Sequence, residues 1–278
     1  MVKTAASTGE YPQYIEKISE YKQLIDKMLK AESKLISELV QSPDLPFKQF
    51  DLVEVRLNLA SYYMILTGMA RSVLKKDNQT ALDDARKIIT KSIAYLEDMV
   101  SHYVDALFTD YEDKLARLEP VSPERRYYVI RKLGLAIKLL ENTYGENSRW
   151  KWSFVDMEGR CAAVTKNIFD VKNMVVHRDP RSPHYEATVY HLQLIKHLLM
   201  QSAERYRERY ELSTGAFDDF RMGLNFLSAL RRIHILLGES PESEMLKKKI
   251  DSWSAKLEAD MKRKEEEARL SQETAQKE

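Results

Sequence analysis

Large apolar residues recur at alternating intervals of three and four along almost every segment of this chain, and that spacing limits its fold more than any other feature. It lays a stripe along one face of an α-helix, whereas a half-buried strand alternates every second residue. From about Pro12 to Val40 the stripe runs Tyr14, Ile18, Tyr21, Ile25, Met28, Leu35 and Leu39, with Glu32 as its one polar break. A third segment carries Ile89, Ile93, Leu96, Val100, Tyr103 and Leu107, and a fifth carries Trp150, Phe154, Met157, Cys161, Val164, Ile168, Val171 and Val175. The last carries Leu246, Ile250, Trp253, Leu257 and Met261. No stretch alternates with period two, so no strand is expected.

The breaks are equally legible. Pro43 and Pro46 end the first helix, because proline lacks a donor and restricts the residue before it. The segments Lys76 to Gln79, Thr143 to Ser148, Arg178 to Arg181, Ser213 to Gly215, and Gly238 with Glu239 separate later helices. Eight helices of roughly 20 to 37 residues result, joined by connections of about 3 to 9, and short connections make neighbours antiparallel. Three helix starts share a Ser-Pro pair, at Ser122, Ser182 and Ser240, with serine as the cap and proline at the first helical position. Their near-even spacing is compatible with a two-helix repeat. The expected fold is therefore all-α: about eight long antiparallel helices with short loops, in a curved, solenoid-like helical-repeat array or an elongated bundle. Residues 1–11 are expected to be disordered, 12–260 to form a single helical domain, and 261–278 to be a charged tail that frays into solvent.

Composition narrows the function. Forty-four basic residues nearly cancel 43 acidic ones, so no global field draws the chain to nucleic acid or an anionic membrane. The longest uncharged run, Leu57 to Ala70, is too short for a spanning helix and suits a buried core helix instead. The start of the chain has no apolar core of a secretory signal. One cysteine excludes an intramolecular disulfide framework. A soluble, cytoplasmic protein is expected, with no membrane insertion, no nucleic acid and no cofactor.

Chemistry-bearing motifs are sparse. Eight glycines, scattered singly, form no phosphate-cradling loop, and neither a zinc-protease helix motif nor a di-iron Glu-x-x-His pair occurs. His177, His184, His191 and His197 crowd the loop after the fifth helix and the sixth helix itself. His184 and His191 stand about 10 Å apart along a helix axis, too far to share one metal without a third element. Cys161 lies on an apolar stripe, where a thiol acts as a small hydrophobe.

Two basic-aromatic clusters are the candidate partner-binding residues: Arg149, Lys151 and Trp152 with Trp150 at the start of the fifth helix, and Arg125, Arg126 and Tyr128 at the start of the fourth. Trp150 and Trp152 diverge by about 200° around a helix, so one of them faces a second layer or solvent. Exposed Trp, Tyr and Arg contribute most at protein interfaces. The second helix, on Arg56, Leu59, Tyr63, Gly68, Arg71 and Ser72, resembles the third helix of 14-3-3 proteins. That resemblance implies a phosphopeptide-gripping role for Arg71, although Met64 stands where the family places a basic residue.

The expected function is a non-catalytic scaffold or adaptor that presents an extended surface to protein partners. Unbroken stripes on long helices can also pair between chains as in a coiled coil, which would make a homo-oligomer. The alternative is a helical enzyme or metal-binding protein with its site near the histidines of the sixth helix, and a lesser one is a 14-3-3-like phosphopeptide binder.

Overall fold

A computed structural model describes residues 10–42, 45–145 and 148–275. Residues 1–9 of the segment expected to be disordered lie outside the described residues, as do Pro43 and Asp44, two residues of the Thr143 to Ser148 break, and 276–278. Among the described residues the chain is all-α: α1 Glu10–Gln41, α2 Pro46–Leu74, α3 Gln79–Met99, α4 Glu112–Arg117, α5 Pro123–Tyr144, α6 Lys151–Asn167, α7 Met174–His177, α8 Tyr185–Arg209, α9 Phe217–Leu236 and α10 Ser240–Ala275. A 3-10 turn, Phe108–Tyr111, precedes α4, and a π turn, Tyr210–Thr214, follows α8. Helix α10 stays helical through much of the tail expected to fray.

The chain divides into two compact units. Unit one comprises residues up to 102 and 106–192, and unit two comprises 103–105 and 193–278.

In unit one, α2 packs against α1, α3 and α5, and α6 packs against α3 and α5. Helix α2 is therefore enclosed, and the uncharged run supplies the apolar surface that enclosure needs: Leu57, Leu59, Ala60, Met64, Leu66 and Ala70 are all buried. Thr67, also buried, returns its hydroxyl to Tyr63 O at 3.2 Å. Glu32, the polar break of the first stripe, meets Arg56 of α2 at 2.8 Å. Arg56 also lies over the Tyr95 ring, 5.5 Å from its centroid. The Ser122-Pro123 start forms as the sequence predicts, with Ser122 accepting from Arg125 N.

Two helices end earlier than their apolar spacing predicts. Helix α3 stops at Met99, where side chains from elsewhere take main-chain carbonyls of its last turn and of the following loop. Lys114 donates to Asp98 O at 3.1 Å, Asn167 to Ser101 O at 2.7 Å and Lys166 to Ala106 O at 2.8 Å. Val100 and Val104 are still buried, but Tyr103 and Leu107 are exposed. Helix α6 stops at Asn167, leaving Val175 78% exposed in the short α7. Its last carbonyls would be orphaned, and His191 and Arg126 satisfy two carbonyls at this end.

In unit two, α9 packs against α10. Phe220 meets Trp253 edge-on with centroids 5.7 Å apart, and Phe226 stacks on Tyr206 at 5.5 Å. Gly223 lets α9 approach closely: a Cβ there would sit 3.1 Å from Ala203 O and 3.3 Å from the Trp253 ring. Gly215, at φ +57°, closes the π turn by donating its N–H to Tyr210 O.

Candidate functional site

The residues expected to bind a partner fall into two groups at opposite ends of α5. Arg125, Arg126 and Tyr128 sit at its start, while Arg71, Arg149, Lys151 and Trp152 gather near its end. Thr143, whose carbonyl Arg71 binds, lies 18 residues after Arg125, or about 27 Å along the axis.

The second group forms a corner where the ends of α2 and α5 meet the starts of α3 and α6. Arg71 donates to Asp77 at 2.7 Å and to Thr143 O at 2.7 Å. The bond to Asp77 pushes the Arg71 guanidinium pKa above its ordinary value, against a small effect of burial. Tyr144 bonds Asp83 at 3.0 Å and meets the Trp150 ring edge-on at 6.3 Å. Burial first, then that bond and charge, raise the phenol pKa to about 12. Arg86 lies 4.5 Å and Arg149 5.0 Å from the Trp150 ring centroid, and Lys151 lies 4.6 Å from that of Trp152. Both indoles are half-buried and Arg149 is exposed, so Trp150 is less buried than its place on the stripe suggests. Each indole keeps part of its surface accessible and has a cation within cation–π distance.

At the other end, Arg125 bridges Glu54 and Asp51, each at 2.6 Å, and Lys132 reaches Glu54 at 3.3 Å. Burial alone would raise the Glu54 pKa, but Arg125 and Lys132 outweigh it and hold the carboxyl below its usual value. Tyr128 is exposed beside these charges, bonding Glu54 at 3.3 Å. The network ties α5 to α2, so Arg125 is already engaged.

Arg126 corrects the sequence expectation. It is 2% exposed and offers no partner surface. Its guanidinium donates to the carbonyls of Val121 at 3.0 Å, Leu118 at 2.6 Å and Ile168 at 3.3 Å. Burial lowers its pKa, opposed by the charges of Asp170 and Glu119. Arg71, assigned to phosphate recognition by the resemblance, keeps its pairing with Asp77, and Arg56 is half-buried against Glu32.

Of the four histidines only His177 and His184 are in ring contact with each other among the described residues. His191 is buried, and its Nε2–H donates to Thr165 O at 2.9 Å between the rings of Phe169 and Tyr127. Burial first, with the Arg126 charge, lowers its pKa to about 4 against the effect of that hydrogen bond. It is therefore neutral at physiological pH. His184 lies in the turn before α8 and bonds Glu124 at 2.7 Å. Its ring meets that of His177 at 4.7 Å, and His177 faces Asp170 at 3.8 Å. His197 is exposed. Among the described residues no group of three or more His, Cys, Asp or Glu side chains could hold a metal ion. No described helix is long and apolar enough to cross a membrane. Burial pushes the Cys161 thiol up to about 12, which suits a core residue.

Sequence reasoning missed Arg86 and Tyr144, which complete the tryptophan corner from two other helices. It also missed Asp170 and Glu119, which line one cavity with Arg126. No helical spacing rule links Arg86, Tyr144 and Trp150, or Arg126 and Asp170, which lie on different elements.

No curated protein and no solved structure matches this sequence. A family model, that of the TP0443 family, matches residues 10–261. That span takes in both compact units and all ten described helices apart from the end of α10, and the chain belongs to the TP0443 family.

Proposed function

We propose that this chain is a non-catalytic adaptor of the cytoplasm that holds a protein partner at the Trp150–Trp152 corner of unit one. The observation that carries this reading is the pair of half-buried indoles flanked by Arg86, Arg149 and Lys151. Tryptophan and arginine are enriched among the residues that dominate binding energy at protein interfaces, and here they come together from α3, the turn before α6 and α6 itself. A partner segment with carboxylates beside an apolar residue suits such a surface. The engagement of His191 with a carbonyl and of His184 with Glu124 also favours a structural use of these histidines.

The test is affinity capture of the tagged full chain from its own cells, comparing the wild type with Trp152→Ala and with Arg149→Glu. The reading expects one protein recovered in stoichiometric amount with the wild type and lost with both variants, whose circular dichroism stays native. Equal recovery by all three refutes the corner as the binding surface. A metabolite or metal recovered in place of any protein refutes the adaptor.

A further inference from the structure

We propose that unit one also binds a free α-amino acid, in a cavity between the Phe108–Tyr111 turn, α4 and the segment after α6. This inference is independent of the adaptor reading and uses different residues. The cavity measures about 240 Å³, and its walls include Arg126, Asp170, Glu119, Phe108, Leu115 and Val171. That volume falls below the ~300–1,000 Å³ of pockets for drug-sized ligands and suits something the size of a single amino acid.

The charges on the walls define the ligand. Arg126 is a 2%-exposed guanidinium bonded, among the described residues, to three neutral carbonyls and to no carboxylate. A guanidinium has five N–H donors, so donors remain for a ligand, and an anion there would neutralise a buried charge. A carboxylate suits this position because it can accept two parallel bonds. A simple anion does not fit the whole cavity, however, because Asp170, Glu119 and Glu112 stand on the same walls against Arg126 and Lys172. Asp170 accepts from Asn173 Nδ2 at 3.1 Å, and Glu119 faces the exposed Lys172 at 3.7 Å. Neither carboxylate hydrogen-bonds Arg126, so both can accept from an ammonium group of a ligand in the same cavity. Phe108, Leu115, Ala116 and Val171 add apolar surface for a hydrocarbon side chain. Carboxylate, ammonium and a small apolar group on one molecule describe an aliphatic amino acid. A peptide terminus carries only one of the two charges.

The experiment is isothermal titration calorimetry on the full chain with leucine, isoleucine, valine and alanine, each against its deaminated acid and decarboxylated amine. The proposal expects at least one amino acid to bind. Both of its analogues should then bind at least about tenfold more weakly, the loss expected for one charge-assisted hydrogen bond. Asp170→Asn should weaken binding by a similar factor, and Val171→Phe, which fills the cavity, should abolish it. Because Arg126→Met removes donors from three carbonyls and can unfold unit one, the test relies on the other two variants, each checked by circular dichroism. No binding by any of the four amino acids up to about 10 mM overturns the proposal. So does an analogue that binds as tightly as its parent, or binding unchanged in Val171→Phe.

Discussion

His191→Gln separates a packing role from an electrostatic one within a single residue. The glutamine amide can still donate to Thr165 O, but it cannot titrate. In the wild type the His191 pKa falls from 6.5 to about 4 on folding, because burial disfavours the imidazolium. The folded state therefore binds fewer protons than the unfolded state between those values, and stability falls as pH drops through that window. The two-state linkage expression gives a loss of about 2.5 kcal/mol between pH 7.5 and pH 4.5 from this one side chain. At pH 7.5 the variant should be less stable than the wild type by about 1–3 kcal/mol, from lost ring packing. At pH 4.5 that gap should shrink or reverse by about 2.5 kcal/mol, since every other titrating group is common to both proteins. Urea titrations followed by tryptophan fluorescence, in a Trp253→Phe background so that Trp150 and Trp152 of unit one report, measure the gap directly. A gap that stays constant from pH 7.5 to 4.5 would refute the account of a neutral, buried His191.

Other outcomes test separate links. Gly223→Ala should destabilise unit two by about 1–3 kcal/mol, because the added Cβ meets a main-chain oxygen at 3.1 Å and the Trp253 ring at 3.3 Å. Gly134→Ala, with nothing within 4 Å, should instead stabilise α5 by about 0.5–1 kcal/mol; thermal melts distinguish the two signs. Cys161 should resist iodoacetamide at pH 8 in the folded protein and react in urea, since its thiol is buried and its pKa pushed up to about 12. Rapid labelling of the native protein would show that α6 opens readily.

The long helices are legible in the sequence because their apolar faces are periodic and their ends carry proline, glycine or serine. The Ser122-Pro123 start forms where those residues place it, whereas the Ser182-Pro183 start is displaced: α8 begins at Tyr185, with Ser182 accepting from His184 N within the preceding turn. The ends of α3 and α6 are not legible, because partners distant in sequence decide them. Lys166 and Asn167 hold the loop after α3, and His191 and Arg126 hold carbonyls at the end of α6. Apolar residues such as Val175 continue the period beyond that point without continuing the helix. The same cause hides the role of Arg126. Beside Arg125 and Tyr127 it reads as one of a basic-aromatic surface cluster, yet successive helical residues diverge by about 100°, which turns Arg126 inward while Tyr128 stays exposed. The tryptophan corner is half legible: Arg149 to Trp152 are consecutive, but Arg86 and Tyr144 reach it only through the packing of α3 and α5.

Hydrogen–deuterium exchange of the full chain, alone and bound to the captured partner, tests the adaptor account most directly. The account predicts slowed exchange concentrated at the end of α2, the start of α3 and the start of α6 around Trp150 and Trp152, and no comparable change along α9. Protection confined to other segments, or an exchange pattern the partner leaves unaltered, would contradict it.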